Sequence, residues 1–243
     1  MTSDPNGPQD SPAQPLLSFP APEARWEGLV RGAPNEVAAG LASRPEAWAT
    51  HALCVTGPAA CGLSYLARAW AARFGGQYLA AAEFIALKLG ALDALAAGHV
   101  ALDDTDLIVA RQDELFLSFY NMVAAKGGRL LLVAHSGPAA WRTGIADLRS
   151  RLNSMPVAEI GQPDEAHVRA RLGAAAAQRF MKLSPETINY LVPRIDLSYE
   201  AIETLMDRLS GAVSMAGKAP GLALARAVLE GLDEDGEEDE GAG

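Results

Sequence analysis

From Trp48 onward, short apolar runs alternate with stretches of helical periodicity, and this alternation sets the expected architecture. Ala52-Leu53-Cys54-Val55-Thr56 is apolar up to its last residue and reads as a buried strand. Residues 64–74 then place Leu66, Ala69 and Trp70 on one face of a helix. Residues 81–97 read as a second helix, and His99-Val100-Ala101-Leu102-Asp103 as a second buried strand ending in carboxylates. A third helix over 113–125 is stopped by Gly127-Gly128 and leads into a third strand, Arg129-Leu130-Leu131-Leu132-Val133-Ala134. Strands separated by helices of this length pair in parallel through right-handed crossovers. Residues 23–161 are therefore expected to form an α/β sandwich on a mostly parallel sheet.

After Val157-Ala158-Glu159-Ile160 and the break at Gly161 and Pro163 the pattern becomes wholly helical, over 164–178, 184–192, 198–215 and 220–231. Ser184-Pro185-Glu186 and the pair Asp196 and Ser198 supply start signals. Residues 162–231 thus read as a small all-helical second domain. Both ends depart from these patterns. Residues 1–22 carry Pro5, Pro8, Pro12, Pro15, Pro20 and Pro22, the composition of an extended, flexible leader. Within it, Gln14-Pro15-Leu16-Leu17-Ser18-Phe19 sets three large apolar side chains where no periodicity buries them. Such a segment either docks as a linear motif into a partner's pocket or packs on its own domain's edge. Residues 232–243 contain Asp233, Glu234, Asp235, Glu237, Glu238, Asp239 and Glu240 and read as a solvated, disordered acidic tail.

Composition narrows the function. With 49% hydrophobic and 21% charged residues and a mean hydropathy of +0.06, the 243 residues suit a folded chain with one main core and a smaller one. The net charge is −10, and the seven tail acids account for seven of those charges. The body lacks the basic excess that duplex DNA binding demands, so DNA contact is expected to be indirect. Cys54 and Cys61 have neither zinc-completing partners nor a disulfide framework, which suits a reducing compartment and no metal site. The chain opens with Asp4, Asn6, Gln9 and Asp10 rather than a basic, then apolar, export signal, and has no membrane-length apolar run; a cytoplasmic protein is expected.

The candidate chemistry lies at strand ends. Gly57-Pro58-Ala59-Ala60-Cys61-Gly62-Leu63-Ser64 follows the first strand and opens a helix, the position of a phosphate loop, with the spacing G-x-x-x-x-G-x-S. Leu63 stands where such a loop carries lysine. A charge-assisted hydrogen bond is worth roughly 1.5–3 kcal/mol, which corresponds to about ten- to a hundredfold in affinity. Leu102-Asp103-Asp104 follows the second strand, where one carboxylate can hold Mg²⁺ and the next polarise a water; adjacent acids there are also ordinary loop residues. His135 and Ser136 end the third strand on the same sheet edge, placed either for a γ-phosphate or to cap the turn before Gly137-Pro138. In Asp147-Leu148-Arg149-Ser150-Arg151-Leu152 two arginines are spaced either for a neighbouring subunit's phosphates or for surface salt bridges.

Taken in order, Q-P-L-L-S-F, G-P-A-A-C-G-L-S-Y-L, V-A-L-D-D-T-D, L-L-L-V-A-H-S-G-P-A-A-W and D-L-R-S-R-L, followed by a helical lid, resemble the DnaA/Hda branch of P-loop AAA+ proteins over about residues 14–231. Within that branch the chain looks like the Hda-type regulatory inactivators of the replication initiator DnaA. No basic DNA-binding domain follows the lid, and the leader resembles a sliding-clamp-binding peptide. The resemblance implies that Gln14, Leu16, Leu17 and Phe19 contact the DNA polymerase III β sliding clamp. Arg151 would be an arginine finger acting in trans on ATP held by DnaA, with Arg149 the second choice. It also places Gly57, Gly62, Leu63, Ser64 and His135 at a nucleotide and Asp103 and Asp104 at its reacting end, and it implies a homo- or hetero-oligomer.

The departures from the family pattern shape the expectation. Leu63 replaces the loop lysine, only His135 and Ser136 offer polarity in the sensor-1 region, and the lid segment Asp196-Leu197-Ser198-Tyr199-Glu200-Ala201-Ile202 puts Leu197 or Glu200 where a cation belongs. ADP or ATP with Mg²⁺ is therefore expected to bind weakly or not at all, and the chain is not expected to be an efficient ATPase. Two other readings stand beside a DnaA-directed regulator. One is a non-stimulating degenerate AAA+ scaffold or antagonist that binds DnaA or an Hda-type protein. The other is a genuine ATP-binding enzyme in which Arg68 or another cation replaces the missing lysine.

Overall fold

The computed structural model describes residues 23–216 and 220–240. Gln14, Leu16, Leu17 and Phe19 lie outside the described residues. Strands β1 (Ala52–Thr56), β2 (Gln77–Leu79), β3 (His99–Leu102), β4 (Arg129–Ala134) and β5 (Val157–Glu159) form one sheet in the order β2-β3-β4-β1-β5. Every pairing in it is parallel. The three central strands are buried almost throughout, because a parallel sheet is covered by helices on both faces. The apolar runs of the sequence therefore mark β1 and β4 to the residue.

The helices are α1 (Glu36–Ala42), α2 (Leu63–Arg73), α3 (Ala81–Ala86), α4 (Leu89–Leu95), α5 (Thr105–Lys126), α6 (Ala146–Ser154), α7 (Glu165–Gln178), α8 (Pro185–Leu191), α9 (Tyr199–Ala216) and α10 (Leu222–Glu240). One apolar layer gathers α3, α4, α5 and α6 on one face of the sheet around Phe84, Phe116 and Phe119. The other holds α2 around Trp70, which is fully buried and donates its indole N–H to the Ala42 carbonyl at 2.9 Å. This second layer runs without a break into the lid helices α7 to α10 through Val168, Leu172, Tyr199 and Ile202. None of the helices among the described residues is long and apolar enough to cross a membrane.

The lid starts where its capping signals stand. The Asp164 carboxylate accepts from the His167 amide at 2.7 Å and the Ser184 hydroxyl from the Thr187 amide at 3.1 Å, each satisfying a first-turn donor. The helix expected over 113–125 stands, running from 113 to Lys126 after a break at Gln112 (φ −146°, ψ 54°), and a further helical piece from Thr105 precedes it in α5. Two expectations are corrected. The helix expected over 81–97 is two, because Leu87 and Lys88 adopt extended backbone and let both pieces pack on α5. The tail expected to be disordered after Gly231 continues as helix α10 to Glu240.

Candidate functional site

Parallel register brings three strand ends to one edge. Thr56 pairs with Ala134, so Gly57 after β1 and His135 after β4 emerge side by side, and Asp103 follows β3 one strand further along. The sheet order reverses at β1, whose chain connection runs to the far edge at β2, and such a switch point is where parallel α/β folds open a crevice. The crevice here is a cavity of about 310 Å³ lined by the loop between β1 and α2, by Asp103, Asp104 and His135, and by Arg171 and Glu203 from the lid. That volume sits at the low end of the roughly 300–1,000 Å³ usual for ligand pockets.

The loop is tightly folded. Gly62 (φ +100°) lets the chain turn into α2, and a Cβ on Gly57 would lie 2.7 Å from Cys61 Sγ, so only glycine fits there. Burial pushes the Cys61 thiol up to about 11. His135 Nδ1 lies 3.1 Å from the Gly57 carbonyl; because a carbonyl only accepts, Nδ1 carries the proton and donates. No side chain caps the start of α2, so its first amides are available to an anion. Ser64 is exposed at that start.

The side chains are less accommodating than the backbone. Leu63 is 5% exposed and packs in the apolar layer under α2. Asp103 is also 5% exposed, and both of its oxygens are engaged: Oδ2 accepts from the Tyr78 hydroxyl at 2.6 Å and Oδ1 from the Asp104 amide at 3.0 Å. Asp104 holds left-handed backbone (φ 48°), and burial, then Asp103 and Asp106, push its carboxyl upward while His135 pulls the other way. At this loop the start of α2 presents backbone amides to a phosphate group, position 63 offers no cation, and each Asp103 oxygen already accepts one hydrogen bond. Among the described residues no cluster of His, Cys, Asp or Glu is placed to hold a metal.

The sequence missed the residues that close the cavity. Arg171 on α7 donates through Nη2 to the Ala60 carbonyl at 3.3 Å and to Glu203 Oε1 on α9 at 3.2 Å, with its guanidinium 5.6 Å from the Tyr199 ring centre. Its Nε is buried without a hydrogen-bond partner. Glu203 also accepts from Arg179, which reaches Asp207 in turn. The acid of α9 that faces the cavity is thus Glu203, while Leu197 and Glu200 are exposed outside it. Arg68 bonds the Tyr78 hydroxyl at 3.3 Å and does not line the cavity. The available signal was a charged residue beside an apolar stripe on each lid helix, Arg171 next to Leu172 and Glu203 next to Ile202.

The two candidate finger residues lie on α6. Arg151 is partly exposed and pairs with Asp147 on its own helix at 3.0 Å. Arg149 donates to the Ala139 and Thr143 carbonyls at 3.3 and 3.4 Å and so braces the loop that leads into α6.

No protein-family model matches the chain. An uncharacterized protein of Haemophilus influenzae is 32% identical over 117 residues, 46% of this chain and 50% of that protein, so the chain spans half the length of this curated relative. Among solved structures, domain III of the replication initiation protein DnaA from Thermotoga maritima superposes with a TM-score of 0.68 at 18% identity, covering 87% of this chain and 98% of that one. AMPPCP-bound DnaA from Aquifex aeolicus gives a TM-score of 0.63 at 17% identity, covering 82% and 68%. These likenesses show a DnaA-like AAA+ fold.

Proposed function

We propose that the chain is a DnaA-type AAA+ regulator of replication initiation, acting in the cytoplasm on a nucleotide held by its partner rather than on one of its own. The observation that carries this reading is the state of its own phosphate loop. Arg171 bonds the loop from the lid, Leu63 is turned into the core, and Asp103 is tied to Tyr78. A triphosphate entering this cavity would face Asp103, Asp104 and Glu203 with Arg171 already committed to Glu203. Weak or absent binding of ADP or ATP with Mg²⁺ follows, and with it little hydrolysis of the chain's own.

What remains is directed outward. Arg151 is held by an exposed ion pair within one helix, of the kind worth about 0.3–0.5 kcal/mol, so its guanidinium is released at small cost to reach a neighbouring protein's phosphates. DnaA is among the proteins whose fold this chain shares, and Gln14, Leu16, Leu17 and Phe19 would tether the pair to the β sliding clamp. The test is the hydrolysis rate of ATP pre-bound to DnaA in the presence of DNA-loaded clamp, with and without this chain. Stimulation is expected, and R151A is expected to remove most of it, since arginine fingers contribute on the order of 10³–10⁵ in rate. Absence of stimulation despite DnaA binding would overturn the finger mechanism and leave the scaffold or antagonist reading.

A further inference from the structure

Residues 25–35 run as a strap between the α/β sandwich and the lid helices. At its start the Tyr65 hydroxyl of α2 donates to the Arg25 carbonyl at 3.0 Å and accepts from the Arg25 amide at 3.3 Å. At its end the Gly161 amide, between β5 and α7, donates to the Pro34 carbonyl at 2.9 Å. The middle of the strap crosses α7, where Gly28, Leu29 and Val30 line a void of about 20 Å³ together with Ala174, Ala175 and Gln178. That void and the cavity of about 310 Å³ at the phosphate loop share Tyr65, Arg171, Gln178 and Glu203. The strap is therefore the rear wall behind the Arg171 and Glu203 pair that closes the loop. Asn35, which is 6% exposed, holds its shape: Oδ1 accepts from the Gly32 amide at 3.0 Å and Nδ2 donates to the Val30 carbonyl at 2.8 Å.

The strap meets the lid most closely at Gly32. A Cβ there would lie 2.6 Å from His167 Nδ1, so only glycine lets the chain approach this far. The ring it touches is 3% exposed, and its Nδ1 is buried without a hydrogen-bond partner. The imidazole fits this slot as the neutral tautomer protonated on Nε2, because a proton on Nδ1 would be a buried donor with no acceptor. The surrounding groups favour the same state. Burial pushes His167 below its usual 6.5 and Arg171 on α7 pushes in the same direction, while Asp164, the cap of α7, pulls the other way. Tyr199 of α9 stands edge-on to the imidazole at 5.8 Å between ring centres and donates its hydroxyl to the Gly161 carbonyl at 3.2 Å; burial pushes its phenol up to about 12, so it stays neutral. On the strap, Arg31 beside Gly32 is exposed.

We propose that the neutral imidazole of His167 is the catch of this strap, and that its protonation in a mildly acidic medium releases residues 28–32 from α7 and opens the rear of the cavity. Tyr65 and Gly161 hold the strap at both ends, so its middle lifts while the chain stays on the sandwich. Linkage sets the direction. In the released state the ring recovers its usual 6.5, so release takes up a proton and is favoured as pH falls below that value. The gain is about tenfold at about pH 5.5 and close to nil at about pH 7.5.

Hydrogen exchange of the full chain at about pH 7.5 and about pH 5.5, with rates corrected for the intrinsic pH dependence of exchange, tests it. Residues 28–35 and 165–171 should lose about tenfold in protection on acidification, while β1 and β4 keep theirs. H167Q, neutral at both pH values, should abolish the difference. G32A should lower protection of the same residues already at about pH 7.5, with no ionisable group changed. An NMR titration of the parent chain's imidazoles should give His167 a value below 6.5. That titration and G32A leave position 167 as it is, so they decide the matter even where H167Q does not fold. Protection independent of pH, a loss that persists in H167Q, G32A exchanging like the parent, or a His167 that titrates at 6.5 or above overturns the proposal. So does a loss of protection that takes β1 and β4 along with the strap, which would make the transition one of the whole fold.

Discussion

The Tyr78 hydroxyl donates to Asp103 Oδ2 at 2.6 Å, tying the middle of an edge strand to the carboxylate at the end of β3. Arg68 bonds the same hydroxyl and lies 4.8 Å from the ring centre, so the contact is held from both sides. Burial, reinforced by Asp103, pushes the Tyr78 phenol from its ordinary 10 up to about 12. An acid whose folded pKa is raised contributes stability that is complete below its unfolded value and lost as pH climbs through the folded one. Tyr78→Phe should therefore cost about 1 kcal/mol below about pH 10. The difference from the parent chain should vanish by about pH 12, as urea midpoints measured across that window would show. A difference that stays constant with pH would mean that the lost hydrogen bond is not the cause.

Leu63 faces the core, which makes a lysine there informative. Leu63→Lys gives up the burial of one leucine, about 2–3 kcal/mol. It gains a cation only if the new side chain turns toward the cavity. The expected result is a lower denaturation midpoint together with about tenfold or more tighter binding of a fluorescent ATP analogue. A lower midpoint with unchanged affinity would locate the obstacle in the lid instead, at Arg171 and Glu203.

The two arginines of α6 should separate by stability. Arg151→Ala removes an exposed pair within one helix and should shift the thermal midpoint by no more than about 2 °C. Arg149→Ala deprives the Ala139 and Thr143 carbonyls of their donor and should cost about 1–2 kcal/mol. Thermal melts of both variants check this. Near-native stability in R151A is what allows loss of DnaA-directed activity in that variant to be read as chemistry rather than unfolding.

Features fixed by a few adjacent residues were readable before the fold. The apolar runs of β1 and β4 and the caps Asp164 and Ser184 are local, and each stands where the sequence indicates. Strand β2 has one exposed and two half-exposed residues and no alternation long enough to register. The break at Leu87 and Lys88 carries no glycine or proline; it follows from two short helices both packing on α5. Similarly, the phosphate loop is visible as Gly57 and Gly62, but its closure is not. Arg171 and Glu203 stand 32 residues apart and meet only because α7 packs on α9.

That closure is open to direct measurement. The Arg171 guanidinium is the hydrogen-bonded tie from the lid to the loop carbonyl of Ala60, 111 residues away in sequence, and Glu203 holds it in place. Arg171→Met keeps most of the aliphatic stem against Tyr199 while removing the donors. Glu203 keeps Arg179 as partner, so no carboxylate is stranded and the global loss should stay within about 1–2 kcal/mol. The loop itself should loosen: hydrogen exchange at residues 57–64 should quicken by about tenfold or more, while β1 and β4 keep their protection. Combined with Leu63→Lys, the same change should tighten nucleotide binding beyond either variant alone, because a cation is added and the side chain in its path removed. If Arg171→Met instead abolishes the affinity gained by Leu63→Lys, the arginine is serving the phosphates and not displacing them.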